Sequence, residues 1–136
     1  MLADDALGAA REDAGLPLDP GYIRAFAAIA ADPNQMLAVA EEDGAVVGTL
    51  QLTFIPGLSY KGAWRGQIEA VRVAASRRGQ GLGARMIRWA LDECRARGCR
   101  LVQLSTNMSR TDAHRFYERL GFSRSHFGYK LDVGGG

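Results

Sequence analysis

The stretch from Gln67 to Ala90 limits the folds open to this chain more than any other part of its sequence. Residues 67–73 alternate in polarity and are rich in β-forming side chains, which predicts a strand. Residues 77–83 hold three glycines and two arginines, which predicts a turn. Apolar side chains then recur every three or four positions as far as Cys94, which predicts an amphipathic helix. A strand, a glycine-rich turn and a helix in this order begin a β-α-β unit.

A glycine-rich turn that leads into a helix is suited to bind an anion. The first backbone N–H groups of a helix have no partner within it, and the helix dipole favours negative charge there. Glycine at Gly79, Gly81 and Gly83 would let a phosphate approach the backbone, and Arg77 and Arg78 add positive charge. The pattern predicts a pyrophosphate cradle; the alternative is a glycine-rich turn that binds nothing.

The residue sequence of the turn indicates which phosphate ligand it would bind. A P-loop would continue with Gly-Lys-Ser/Thr, and a dinucleotide fold needs Gly-x-Gly-x-x-Gly; neither pattern is present. The run Arg78-Gly-Gln-Gly-Leu-Gly83 instead resembles the Arg-x-x-Gly-x-Gly signature of the GNAT superfamily of acyl-CoA-dependent N-acyltransferases. The segment Ala113–Phe122 is similar to the second hallmark of that family. Two hallmarks in the right order are far more specific than either alone.

The resemblance implies acetyl-CoA as co-substrate and a set of residues that hold it. Its pyrophosphate would bind at the turn, and its pantetheine arm would bond the main chain of the strand as an added strand does. Asn107 matches a family asparagine that contacts the cofactor; the alternative is a loop-capping residue. The implied cofactor-binding residues are Val71, Arg72, Val73, Arg78, Gly79, Gln80, Gly81, Leu82, Gly83, Asn107 and Tyr117.

Acyl transfer from a thioester to an amine needs a base for the amine, donors for the carbonyl oxygen and an acid for the leaving thiolate. Glu69 is the candidate base, because it matches the catalytic glutamate of some family members. We expect it on the same strand face as Val71 and Val73, where apolar neighbours would make it a better base. The alternative is a solvated Glu69, or one paired with Arg72 or Arg65.

Tyr117 is the candidate acid. It matches the tyrosine in the family's Phe-Tyr-x-x-x-Gly-Phe motif, and a phenol can protonate the departing sulfur. The alternative is a core tyrosine beside Phe116. A backbone N–H at or next to Val73 is expected to bond the carbonyl oxygen.

The acceptor implied by the resemblance is the primary amine of a small molecule, acetylated by direct transfer in a ternary complex. The C-terminal third is most similar to aminoalkylphosphonate N-acetyltransferases, through Leu104–Asn107, Asp112–Tyr117 and Ser125–Phe127. That likeness would give the acceptor an anionic group, bound by a basic residue. The candidates for this role are Arg65, Arg72 and Lys61.

The long loop Pro56–Gly66 is expected to line the acceptor site, or else to be an ordinary hairpin connection. Two rival functions remain open. One is a non-catalytic acyl-CoA-binding module, and the other is acetylation of protein amines.

The predicted element order is α, α, β, β, β, α, β, α, β, which indicates an α/β (α+β) fold. It resembles the GNAT fold: a mixed, mostly antiparallel sheet flanked by helices, with its last strand over residues 122–131. The family usually begins with a strand, whereas this chain begins with a helix. Either the N-terminus is truncated or the first edge strand is missing, and an unpaired edge predicts a homodimer.

Composition bounds the class of protein. The 136 residues suit one domain, predicted over residues 1–133, followed by a glycine tail at 134–136. A net charge of +2 is too small to indicate nucleic acid as a partner, and no apolar run approaches the ~20 residues of a membrane span. The first residues lack the features of a signal peptide, so we expect the protein to be located in the cytoplasm.

The cysteines and histidines do not indicate a metal. Cys94 and Cys99 stand in neither metal nor redox spacing, and we expect both to be core thiols. His114 and His126 have no metal-ligand partner at a fixed spacing.

Overall fold

The structure is a computed structural model that describes Gly15 and residues 18–134. It divides into two compact units, Met1–Leu104 and Ser105–Gly136. The elements of the first unit are α1 (Pro20–Ala31), β1 (Gln35–Glu42), β2 (Ala45–Ile55), the single turn α2 (Ser59–Gly62), β3 (Trp64–Val73), a 3₁₀ turn (Ala75–Arg77), α3 (Leu82–Ala96) and β4 (Cys99–Leu104). The second unit contains α4 (Thr111–Arg119). A weak helix expected at residues 2–11 lies outside the described residues.

The sheet of the first unit has the strand order β1-β2-β3-β4. β1 pairs with β2 and β2 with β3 in antiparallel fashion, while β3 and β4 are parallel. The mixed, mostly antiparallel sheet expected from the sequence is therefore confirmed. Parallel neighbours need a crossover connection, and α3 provides it.

The core lies between α3 and one face of the sheet, here called the core face. The sheet contributes the buried side chains Leu50, Leu52, Phe54 and Ile68, and the helix contributes Met86, Ile87, Ala90 and Cys94. Each large apolar side chain stabilises the fold by about 1.5–3 kcal/mol when fully buried. This burial fixes α3, and with it the helix N-terminus that follows the glycine-rich turn.

Two buried glycines let the helix approach the sheet. A Cβ at Gly48 would lie 2.5 Å from Met86 Sδ, and a Cβ at Gly66 would collide with Cys94 Sγ.

Cys94 and Cys99 behave as structural thiols. Both are free, with Cys94 buried and Cys99 half-buried. Burial, followed by the neighbouring Cys99, raises the pKa of Cys94 to about 11, and burial also raises the pKa of Cys99. A thiol with a raised pKa is a weak nucleophile, which agrees with the core role expected from the sequence.

The predicted last strand over residues 122–131 was wrong. Residues 122–134 form no helix or strand, and Phe127, Tyr129 and Leu131 are almost fully exposed. The alternating pattern of this segment is strand-like. A strand forms only where a neighbouring backbone accepts its hydrogen bonds, and this segment joins none of the described strand pairs.

Candidate active site

The phosphate-binding turn predicted from the sequence is present as a turn between β3 and α3. Gly79 and Gly81 have φ of 76° and 80°, the left-handed region that glycine adopts without steric cost. α3 begins at Leu82, and its N-cap, Gly81, provides no side-chain hydrogen bond to the helix. A Cβ at either glycine would meet no atom within 4 Å. The space at both Cβ positions, next to the first turn of α3, is therefore open.

Arg77 does not supply positive charge to this turn as the sequence suggested. Its Nε donates to Glu42 Oε2 at 2.8 Å, which ties the turn to the end of β1. This hydrogen bond raises the pKa of Arg77. Arg78 Nε donates to Val73 O at 3.2 Å and Gln80 Nε2 donates to Ser76 O at 3.2 Å. These bonds tie the turn to β1 and to its own backbone, and the binding of a pyrophosphate at the turn stays a prediction.

β3 extends beyond its parallel neighbour. The last pair between the two strands is Ile68 with Leu104, where β4 ends, and β3 continues to Val73. On its other side β3 stays paired with β2 as far as Val73. β4 therefore pairs with β3 only as far as Ile68, and the binding of the pantetheine arm along the rest of β3 stays a prediction.

A β-bulge in β3 changes which side chains share a face. Glu69 pairs with Gln51 and Arg72 pairs with Thr49, so two residues of β3 stand opposite Leu50. Within the bulge, Ala70 has a φ of 54°, which is uncommon for a residue other than glycine. A bulge of this kind advances the alternation of side chains by one position.

Because of the bulge, Glu69 and Val73 lie on opposite faces of the sheet. Val73 pairs with Gly48, whose own Cβ position points at Met86 on the core face. Glu69 instead lies on the opposite face, here called the distal face, because it is next to the buried Ile68. The expectation that Glu69 and Val73 share a face was therefore wrong, since strict alternation does not survive a bulge.

Glu69 has a polar neighbour instead of apolar ones. Its side chain is exposed, and its Oε1 lies 3.5 Å from Thr53 Oγ1. Arg72, considered as a partner for Glu69, donates from Nη1 to Val71 O at 2.8 Å. The distal-face neighbours Gln51 and Thr53 both donate to Gln35, and none of the three was identified from the sequence. A signal for Gln51 and Thr53 existed in the alternation of polar residues along β2.

The loop before β3 is shorter than predicted. β3 begins at Trp64, which pairs with Cys99, so the loop ends at Ala63 and not at Gly66. Tyr60 and Lys61 have left-handed φ of 55° and 62°, and Tyr60 is exposed. Each such residue stores about 1–2 kcal/mol of backbone strain. The expected role of this loop in lining the acceptor site stays a prediction.

In the second unit, Tyr117 lies on α4 between two phenylalanine rings. Its ring centroid is 5.1 Å from that of Phe116 and 5.9 Å from that of Phe122, both in edge-to-face geometry. These contacts hold the aromatic ring, as the core alternative expected, and they leave the role of the hydroxyl as a prediction.

Asn107 makes the loop-capping bonds that the sequence offered as its alternative role. Its Oδ1 accepts from Ser109 N at 2.9 Å and from Ser109 Oγ at 2.7 Å. His114 Nε2 lies 3.0 Å from Asn107 O. The proposed contact of Asn107 with the cofactor stays a prediction.

The described part of the chain has neither a metal-ligand cluster nor a membrane-spanning helix. No three His, Cys, Asp or Glu side chains there converge as a metal site would require. No helix among these residues has both the length and the apolar character needed to cross a lipid bilayer.

The chain is similar in sequence to known acetyltransferases. The family model for the acetyltransferase (GNAT) family matches residues 4–122. The chain is 42% identical over 102 residues to the aminoalkylphosphonate N-acetyltransferase of Salmonella typhimurium, covering 75% of this chain and 66% of that protein. It is 34% identical over 90 residues to the glucosamine 6-phosphate N-acetyltransferase of Trypanosoma brucei brucei, covering 66% of this chain and 59% of that protein. The matches thus span less than two thirds of these relatives' own lengths.

A solved structure extends the likeness over nearly the whole chain. The crystal structure of a transcriptional regulator from Bacillus halodurans C-125 is 49% identical and has a TM-score of 0.95, covering 98% of this chain and 89% of that one. The family model and the identity to curated relatives reach well beyond a shared fold. This chain belongs to the acetyltransferase (GNAT) family.

Proposed function

We propose that this protein is an acetyl-CoA-dependent N-acetyltransferase that acetylates a primary amine of a small molecule by direct transfer in a ternary complex. The observation that carries the proposal is the N-terminus of α3, which has no side-chain cap and follows β3 through the glycine-rich turn, together with the extension of β3 beyond its last pair with β4. A cofactor with a pyrophosphate and an extended, amide-bearing arm suits both features. Membership of the acetyltransferase family supports acetyl-CoA as that cofactor.

The proposed reaction uses three groups of this chain. The amine nitrogen attacks the thioester carbonyl carbon, and Glu69 takes the amine proton, directly or through water. A backbone N–H at or next to Val73 bonds the carbonyl oxygen as it gains charge. The C–S bond breaks, and Tyr117 gives its phenolic proton to the departing thiolate.

We propose further that the acceptor carries a phosphonate or phosphate group. Two curated relatives are named for acceptors of this kind, an aminoalkylphosphonate and glucosamine 6-phosphate. Arg65 and Arg72 lie on the distal face of β3 with Glu69. Arg65 and Glu69 are four residues apart before the bulge, so they share a face, and the extra residue of the bulge places Arg72 on that face as well. A guanidinium group binds a phosphoryl group through two parallel hydrogen bonds.

The acceptor is tested by matched pairs of amines. We expect 2-aminoethylphosphonate to be acetylated with a kcat/KM at least about tenfold above that of ethanolamine, since a charge-assisted hydrogen bond contributes about 1.5–3 kcal/mol. Glucosamine 6-phosphate against glucosamine forms the second pair, and thiol release from acetyl-CoA is the measurement. Equal rates within each pair would reject the anionic acceptor.

The same panel separates the rival functions. Binding of acetyl-CoA without thiol release with any amine would favour a non-catalytic binding module. Faster release with peptide amines than with every small amine would favour a protein acetyltransferase.

The cradle is tested by one glycine at each end of α3. Gly81→Ala should raise the KM for acetyl-CoA at least about tenfold, because it adds a Cβ to the turn where the pyrophosphate is proposed to bind and strains a φ of 80°. Gly98→Ala is the matched control: Gly98 follows the same helix with a φ of 78° and an equally open Cβ position. Both changes carry a similar backbone cost of about 1 kcal/mol. An equal KM in the two variants would remove the turn from the cofactor site.

A cytoplasmic location and a homodimer are also proposed. β1 is an edge strand of the described sheet, and Leu37 and Val39 on it are exposed. Such an edge is suited to pair with a strand of a second copy.

A further inference from the structure

A row of hydrogen-bonded side chains crosses the distal face from β1 to Glu69. Gln51 Nε2 donates to Gln35 Oε1 at 3.0 Å, and Thr53 Oγ1 donates to the same oxygen at 2.9 Å. Thr53 Oγ1 also lies 3.5 Å from Glu69 Oε1. We call Gln35, Gln51, Thr53 and Glu69 the polar row. The three uncharged members are half-buried, whereas Glu69 is exposed at its end.

The row places one hydroxyl proton between two acceptors. A threonine hydroxyl has a single proton and two lone pairs, and the amide oxygen of Gln35 can only accept. Thr53 Oγ1 can donate this proton to Gln35 Oε1 at 2.9 Å or to Glu69 Oε1 at 3.5 Å. Gln51 holds Gln35 in place from the other side.

This arrangement suits both forms of a carboxyl group that gains and loses a proton. After Glu69 takes a proton, its O–H can donate to Thr53, which continues to donate to Gln35. When Glu69 is ionised, the Thr53 hydroxyl can rotate and donate to it, since a hydroxyl proton has no fixed position. Thr53 thus offers Glu69 a partner before and after proton transfer.

We propose that Thr53 is a positioning residue for Glu69, held in its role by Gln35 and Gln51. The inference rests on the proposed function, in which Glu69 is the base. An exposed glutamate has several rotatable bonds, and its carboxylate must stand within hydrogen-bond reach of the amine or of one bridging water. The polar row selects one direction for that carboxylate.

The test removes the hydroxyl and keeps the shape of the side chain. Thr53→Val should lower kcat about tenfold and leave the KM for acetyl-CoA within about twofold, because the base loses its orientation while the cofactor site is untouched. Thr53→Ser keeps the hydroxyl and should restore most of kcat. Thr49→Val is the control for the same substitution on the same face of the same strand, and it should leave kcat unchanged.

A double-mutant cycle distinguishes positioning from packing. In a Glu69→Gln background, Thr53→Val should cause no further loss of kcat, since there is no base left to orient. An additive loss in that background, an equal loss in Thr53→Ser, or an unchanged kcat in Thr53→Val would each overturn the inference. Wild-type turnover is measured first: if no amine is acetylated, the proposed function fails, whereas turnover that depends on Glu69 but not on Thr53 rejects the positioning role alone.

Discussion

Replacing Tyr117 by phenylalanine is expected to lower kcat by about a hundredfold or more while the KM for acetyl-CoA stays nearly unchanged. A free thiol has a pKa of ~8.5, so the departing thiolate is a mediocre leaving group near neutral pH and gains from a proton donor. The substitution removes only the hydroxyl. The edge-to-face contacts of the ring with Phe116 and Phe122 remain, so the fold of the second unit should survive.

The measurement is thiol release at saturating acceptor, with the melting temperature followed in parallel. Tyr129→Phe is the matched control, because Tyr129 belongs to the same unit and is 94% exposed. It should change neither quantity. A Tyr117→Phe variant with full kcat would assign Tyr117 to packing between its two aromatic neighbours and remove it from the mechanism.

Gly66→Ala is expected to cost about 3 kcal/mol of unfolding free energy, with a fall in melting temperature of about 10 °C. Gly66 is buried on β3 where α3 crosses, and an added Cβ would collide with Cys94 Sγ. Cys94 is fully buried and cannot move aside without disturbing Ile87 and Ala90 in the same helix face. Overpacking of this kind forces side chains out of their preferred rotamers.

A second substitution tests whether that contact is the cause. Cys94→Ala alone should destabilise, because it leaves a cavity. The double variant Gly66→Ala/Cys94→Ala should be more stable than Gly66→Ala, since the new methyl group replaces the lost sulfur. Gly128→Ala, where a Cβ meets nothing within 4 Å, should leave stability unchanged. A double variant no more stable than Gly66→Ala would place the cost in the backbone instead.

The elements around the glycine-rich turn were predictable because their signals are local. Hairpin pairing between β1 and β2, the strand before the turn and the amphipathic α3 all follow from residues close together in sequence. Asp19 caps α1, accepting from Gly21 N at 2.8 Å, and Pro20 is the first residue of the helix, a pattern that the sequence shows locally. The glycine-rich turn was found by the same local reasoning, and its Gly79 and Gly81 adopt the left-handed conformation that favours glycine.

The features that the sequence did not show all depend on partners far away in the chain. Arg77 was expected to face a phosphate, yet Glu42 on β1 binds it. Strict alternation placed Glu69 beside Val73, but the register with β2 contains a bulge at Ala70. Residues 122–131 have a strand-like pattern, although a strand depends on a neighbouring backbone.

By itself the sequence determined the family, the four strands of the sheet and the glycine-rich turn that leads into α3, because hydrophobic periodicity, glycine conformation and helix ends act over a few residues. Only the tertiary structure decided which polar side chains surround Glu69 and which partner each arginine of the turn bonds. Those outcomes depend on register between strands and on ion pairs across the fold. Pairing energies between distant residues set them, and no local pattern records such energies.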